Sequence, residues 1–110
     1  MAELSALAHM SRLDRELNGI LSALDIDIVG RETSKTITAI RRLSGDARLD
    51  IRDFEMADTR ADMQDNAQAA IKRLDDLRAQ ILRASEYGIF GAIDVAQLSA
   101  QLDEIVAKLR

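Results

Sequence analysis

Few residues of this chain have side chains suited to chemistry at neutral pH. One histidine, His9, is present and cysteine is absent, so imidazole chemistry has a single site and thiolate chemistry has none. Arg12 lies three residues after His9 and Gly19 ten residues after it. On a helix, such a cation one turn away can meet an incoming phosphate, and a small residue further on lets a partner approach. The plainer reading is a partly exposed helix histidine. Carboxylates are more plentiful. Asp25, Asp27 and Gly30 match positions one, three and six of a calcium loop, but Val29 stands at position five and Thr36 at position twelve. An oxygen ligand and the bidentate acid are therefore missing. Asp58, Asp62 and Asp65 would share one helical face, and grouped carboxylates can bind a metal or share a proton. With no histidine or phosphate loop nearby, they read as a solvated acidic face, with an electrostatic docking surface for a basic partner as the functional alternative.

The set His9, Arg12 and Gly19 resembles part of the motif of histidine phosphotransfer domains, which are four-helix bundles of about this length. Those domains carry a glycine four residues after the histidine, where Leu13 stands here. The resemblance covers one partial motif and implies a phosphotransfer-like signalling role through His9 as one alternative. Elsewhere there is no nucleophile elbow, P-loop or dinucleotide fingerprint, so no enzyme activity, cofactor or metal is expected.

Apolar residues make up 47% of the 110-residue chain and charged residues 31%, a balance that folds around a core. With one Tyr and two Phe, that core must be aliphatic. Proline is absent, and proline is the residue that helix interiors exclude most strongly, so long helices are expected. A net charge of −4 disfavours nucleic acid, whose binding depends on clustered Lys and Arg. The adjacent Arg41 and Arg42 read as a helix end. Met1 to Met10 lack the basic start of a signal peptide, and no apolar run reaches the length of a bilayer span. A cytoplasmic protein without membrane insertion is the expectation.

The elements follow from spacing. Met10, Leu13, Leu17, Ile20 and Leu24 alternate gaps of three and four, predicting an amphipathic helix over 2–24, with Arg12 and Glu16 spaced to pair. Residues 25–30 read as a connection or a very short strand. A second helix would start after Glu32, capped by Thr33 or Ser34, with Ile37, Ile40 and Leu43 inward. Ser44-Gly45-Asp46 suggests a stop and restart. Residues 46–66 hold seven acids against three arginines, and Leu49 and Ile51 would even suit a strand beside Ile26 and Ile28. Leu49, Met56, Met63, Ala70, Leu77 and Ala84, however, recur every seven residues, which favours one helix from 47 to 85, about 58 Å long. Tyr87 to Gly91 reads as a turn closed by Gly88. Asp94 and Gln97 resemble a capping box before a last helix carrying Val95, Leu98, Leu102, Ile105 and Leu109 inward, with Glu104 and Lys108 spaced to pair.

The expected fold is all-α: one helical domain over 1–110, a three- or four-helix bundle with a long central helix and coiled-coil-like packing. The first and last helices would cover the central one end to end. Three long apolar stripes then exceed the coverage within one copy. The expected role is a non-catalytic protein–protein interaction module, a homo-oligomeric adaptor, assembly factor or small regulator, with a secretion or assembly chaperone as an alternative. Its partner would be a protein, itself or another, bound through the acidic face and the apolar stripe. Met56 and Met63 suit core filling or an adaptable binding stripe. Tyr87, Ile89 and Phe90 would either cap the core or project as a knob.

Overall fold

A computed structural model describes residues 5–24 and 26–110, with the side chains of 26–29 left aside. It shows four helices, and among the described residues no strand: α1 (Ala6–Ser22), α2 (Ile26–Glu55), α3 (Arg60–Glu86) and α4 (Ala92–Leu109). The all-α bundle of four helices is as expected, but the helices differ in length and arrangement from the layout built on one central rod.

Helix α1 begins where Ser5, in extended conformation, accepts a hydrogen bond from the Ala8 N–H at 3.1 Å, so a hydroxyl satisfies one of the orphan donors of the first turn. Met10, Leu13, Leu17 and Leu21 form its buried stripe. Leu4 and Asp25, and with Asp25 the start of the calcium-type loop, lie outside the described residues.

Helix α2 is interrupted at Gly30, whose backbone (φ 79°, ψ 170°) is not helical. Side chains rarely reach that region, since a Cβ would clash with the backbone. Thr33 and Ser34 are therefore interior residues of the helix that follows and not its caps. A Cβ at Gly30 would meet no neighbouring group, so Gly30→Ala tests the backbone alone. It is expected to cost about 1–3 kcal/mol in urea unfolding, and a change below a few tenths would show that the kink relaxes freely. Past Gly30 the helix runs unbroken through Ser44-Gly45-Asp46. No stop occurs there, and Arg41 and Arg42 lie in mid-helix. The stretch 48–52 is helical too, which removes the strand alternative.

The long helix expected over 47–85 is instead two helices folded into a hairpin. The chain leaves the helix at Met56–Asp58, and Thr59, extended at φ −123° and ψ 156°, restarts it by accepting from the Asp62 N–H at 3.1 Å. Tyr87, Gly88 and Ile89 close α3: Gly88 takes φ 81°, its N–H donates to the Ser85 carbonyl, and the Ile89 N–H reaches back to Ala84 at 3.1 Å. This pair of bonds with a left-handed glycine is the Schellman closure, and it satisfies two carbonyls the helix end would orphan. Gly91 is the N-cap of α4, and Asp94 sits at its third position, accepting from the Gly91 N–H at 3.4 Å. Asp94 is therefore the reaching partner of that cap and not the cap itself.

The helices pack in cyclic order, α1 against α2, α2 against α3, α3 against α4 and α4 against α1, and among the described residues no diagonal pair of backbones approaches closely. The short connections make neighbours antiparallel. The first and last helices thus lie side by side across the bundle, and neither extends the other. Among the described residues their stripes close on one another in a single core of Leu, Ile, Met and Ala with Phe90, Met63 alone of the α3 stripe staying exposed.

Each of the four seams carries a polar tie. Between α1 and α2, Ser44, almost fully buried, donates to Asp14 at 2.6 Å, with Arg48 at 3.5 Å. Between α2 and α3, Arg73 reaches Asp50 at 2.5 Å and Asp46 at 3.2 Å. Arg78 pairs with Asp103 across α3 and α4. Gln101 donates to Glu16 at 2.5 Å across α4 and α1. Half-exposed pairs contribute at most about 1 kcal/mol each, so their main leverage is on register. The Ser44–Asp14 bond is better shielded. Ser44→Ala is expected to destabilise by about 1–2 kcal/mol, an effect largely absent when Asp14 is already Asn; additive losses in that double-mutant cycle would show that the two do not interact.

Candidate functional site

The hairpin between α2 and α3 is longer than the helices that flank it: α3 has 27 residues and α4 has 18. Arg60 through Asp65, the first turns of α3, are all exposed. Met63 continues the stripe of Ala67, Ala70, Leu74, Leu77 and Ile81 that faces the core, yet it is 39% exposed. Among the described residues nothing covers its outer side.

Where α4 stops, the core opens as a groove of about 510 Å³. Phe54 of α2, Met63, Ala67 and Ile71 of α3 and Leu109 of α4 supply apolar surface, and Arg60 and Arg110 stand among its walls. The Phe54 position is set by the inward run of Ile40, Ala47 and Ile51 along α2, which it extends by one turn.

The site residues read from sequence are only partly brought together. Met63 lines this groove. Met56, in the turn after α2, is 72% exposed, so core filling is not its role, and it does not line the groove. Asp58 lies in the same turn, while Asp62 and Asp65 are exposed on α3. At 100° per residue, both acids of α3 point away from the side that carries Arg60, Ala67 and Ile71. The acidic face and the apolar groove are therefore separate surfaces, where the sequence pattern suggested one. Tyr87 projects at the opposite end of the bundle, Ile89 is half-buried, and Phe90 is 3% exposed within the core. Phe90 folds back to close the core between α3 and α4, which leaves Tyr87 as the exposed aromatic of the turn.

Sequence reasoning missed the groove walls Phe54, Arg60, Ile71 and Arg110. Their spacing carries no motif; only the packing of α2, α3 and α4 brings them together. It also missed a shallow concavity on the first half of α2, where Arg31, Lys35 and Arg42 stand beside Ser34, Thr38 and Ala39. Lys35 there is held by Glu32 at 3.6 Å.

His9 is turned toward the α1–α4 seam, its side chain 16% exposed and its Nδ1 3.6 Å from the Glu104 carboxylate. Low exposure and an adjacent negative charge both oppose attack on an incoming phosphoryl group. Among the described residues no group of three His, Cys, Asp or Glu side chains converges to hold a metal ion, and no helix is long and apolar enough to cross a membrane. Comparison with protein-family models, curated proteins and solved structures finds no match for this chain.

Proposed function

We propose that this chain is a non-catalytic protein–protein interaction module, an adaptor, assembly factor or small regulator of the cytoplasm, and that it holds its partner at the hairpin end of the bundle. The observation that carries the reading is the apolar groove lined by Phe54, Met63, Ala67, Ile71 and Leu109, where Met63, in core register, stays exposed while the rest of the α3 stripe is covered. Apolar surface left open beside a packed core is a common mark of an interaction site.

Self-association now has weaker support than the stripes alone suggested, because the four helices bury their stripes in each other. A chaperone role is a special case of the same reading, in which the partner is an unfolded or unassembled polypeptide. Phosphotransfer through His9 has the least support, given the shielding of the imidazole.

The test is a photo-crosslinking side chain placed at Met63 in the source cells, with the same group at Arg41 as a distant control. One product of defined mass from position 63, lost when Ile71 is replaced by Lys in a variant that still folds, supports the reading. Equal crosslinking at both positions, or none at 63, counts against it. A doubled mass of this chain itself would move the reading to the homo-oligomeric adaptor.

A further inference from the structure

We infer that the seam between α1 and α4 is where the bundle opens in solution, and that Gln101 sets how often it does so. This goes beyond the docking reading above and does not depend on it.

Three of the four seams are held by the chain as well as by side chains. Short connections join α1 to α2 and α2 to α3, and the Schellman closure with buried Phe90 joins α3 to α4. Helices α2 and α3 also share by far the largest packed interface among the described residues, clasped by Arg73 against Asp46 and Asp50. Helices α1 and α4 have no such connection, because α2 and α3 lie between them in the chain. Their seam rests on side-chain packing and on two polar contacts.

Both contacts are imperfect. His9 Nδ1 stands 3.6 Å from the Glu104 carboxylate, too far for a hydrogen bond, and that side chain is 60% exposed. Gln101 donates to Glu16, but its own Oε1 is buried and among the described residues no donor reaches it. A carboxylate only accepts, so Glu16 supplies none. Water hydrates that acceptor whenever the helices part, and closure strips it. An acceptor buried without a partner moves such an equilibrium toward the open form by about tenfold. Glu16 and Gln101 meet more than one turn inside both ends of their helices, so the penalty falls on the seam as a whole and not on a fraying end.

The open form keeps the α2–α3 hairpin packed and parts α1 from α4. It uncovers Leu13, Leu17, Leu98 and Leu102, each fully enclosed when the seam is shut. The cost of wetting them keeps the open form a minor population.

Amide hydrogen exchange of the full chain, followed by NMR at urea concentrations below the unfolding transition, tests this. Helices as short as α1 and α4 are marginal in water once unpacked, so their exchange reports the parting of the seam. Their slowest amides are expected to exchange at least about tenfold faster than the slowest of α2 and α3, and with a weaker dependence on urea, because this opening exposes less surface than global unfolding. Gln101→Leu removes the orphaned acceptor and keeps the bulk of the side chain. It is expected to slow exchange in α1 and α4 about tenfold, while Gln97→Leu, one turn back at an exposed position, leaves it unchanged. Glu16→Gln reaches the same end by another route, since an amide donates as well as accepts, and should slow exchange as well. One slowest rate and one urea dependence shared by all four helices would show that the bundle unfolds as a unit and overturn the opening seam. Fast exchange in only one of α1 and α4 would mean that a single helix detaches from both neighbours, and would overturn it too. No slowing in either the Gln101→Leu or the Glu16→Gln variant, both folded by circular dichroism, would overturn the role given to Gln101.

Discussion

Leu77→Ala is expected to destabilise the bundle by about 3–4 kcal/mol, whereas Leu82→Ala, five residues along the same helix, should change it by no more than about 0.5 kcal/mol. Both are leucines in the second half of α3, flanked by strong helix formers, so propensity does not separate them. Burial does. Leu77 is fully enclosed, with Leu74 and Ile81 as its neighbours on the stripe, while Leu82 is 48% exposed on the outer side of the helix. Truncating the first leaves a cavity that the surrounding helices can only partly close, which adds to the lost transfer free energy. Truncating the second leaves a little less surface for water to cover. Urea unfolding followed by circular dichroism would measure both. Similar losses at the two sites would mean that α3 is rotated about its axis from the packing described here, and with it the face assigned to the groove.

That contrast also shows how much of the fold is legible in the sequence. Helices α1 and α4, and the second half of α3, are written in large aliphatic residues at gaps of three and four, and their buried stripes follow that spacing except at the ends, where Ile20, Leu24 and Val95 are half-buried and Leu21 closes the α1 stripe. Helix α2 is not legible in this way. Its inward stripe passes through Thr36, Ser44 and Ala47, all buried, and small or polar residues at core positions blur the period. Leu49, outward and 48% exposed, then supplies a false one. The heptad series Leu49, Met56, Met63 is the result: three residues that look like a core stripe and are all exposed. A local signal was available against it. Thr59 followed by Asp62 is a cap residue with an acid three positions on, which marks a helix start. Reading it would have divided the presumed rod at the place where the chain turns.

The acids were misleading for a related reason. Asp46 and Asp50 lie in the segment that reads as an acidic face, but they clasp Arg73 across the α2–α3 seam. Only the hairpin brings residue 73 back beside residue 46. The groove was illegible on the same grounds, since no pattern within Met63, Ala67 and Ile71 tells that Phe54 of α2 and Leu109 of α4 are brought beside them once the chain has turned.

The same hairpin yields the second large effect. Replacing Asp58 and Thr59 together by alanine is expected to double the mass of the protein in solution, through a dimer in which α2 and α3 form one continuous helix. The cap hydroxyl of Thr59 is lost, about 1 kcal/mol that favours the turn. Two residues that interrupt helix are replaced by the strongest helix former. In the doubled form, α1 and α2 of one copy pack on α3 and α4 of the other, so every seam is kept, including Arg73 with Asp46 and Asp50, and the four linking residues gain helical hydrogen bonds. Exchange of identical elements through a straightened hinge is a low-cost route to a dimer for this reason. Light scattering over a concentration series compares the variant with the unsubstituted chain. A mass that stays that of the parent at every concentration, with stability lower by only about 1 kcal/mol, would show that α2–α3 packing turns the chain without help from its cap. The Thr59 signal would then mark the turn without causing it.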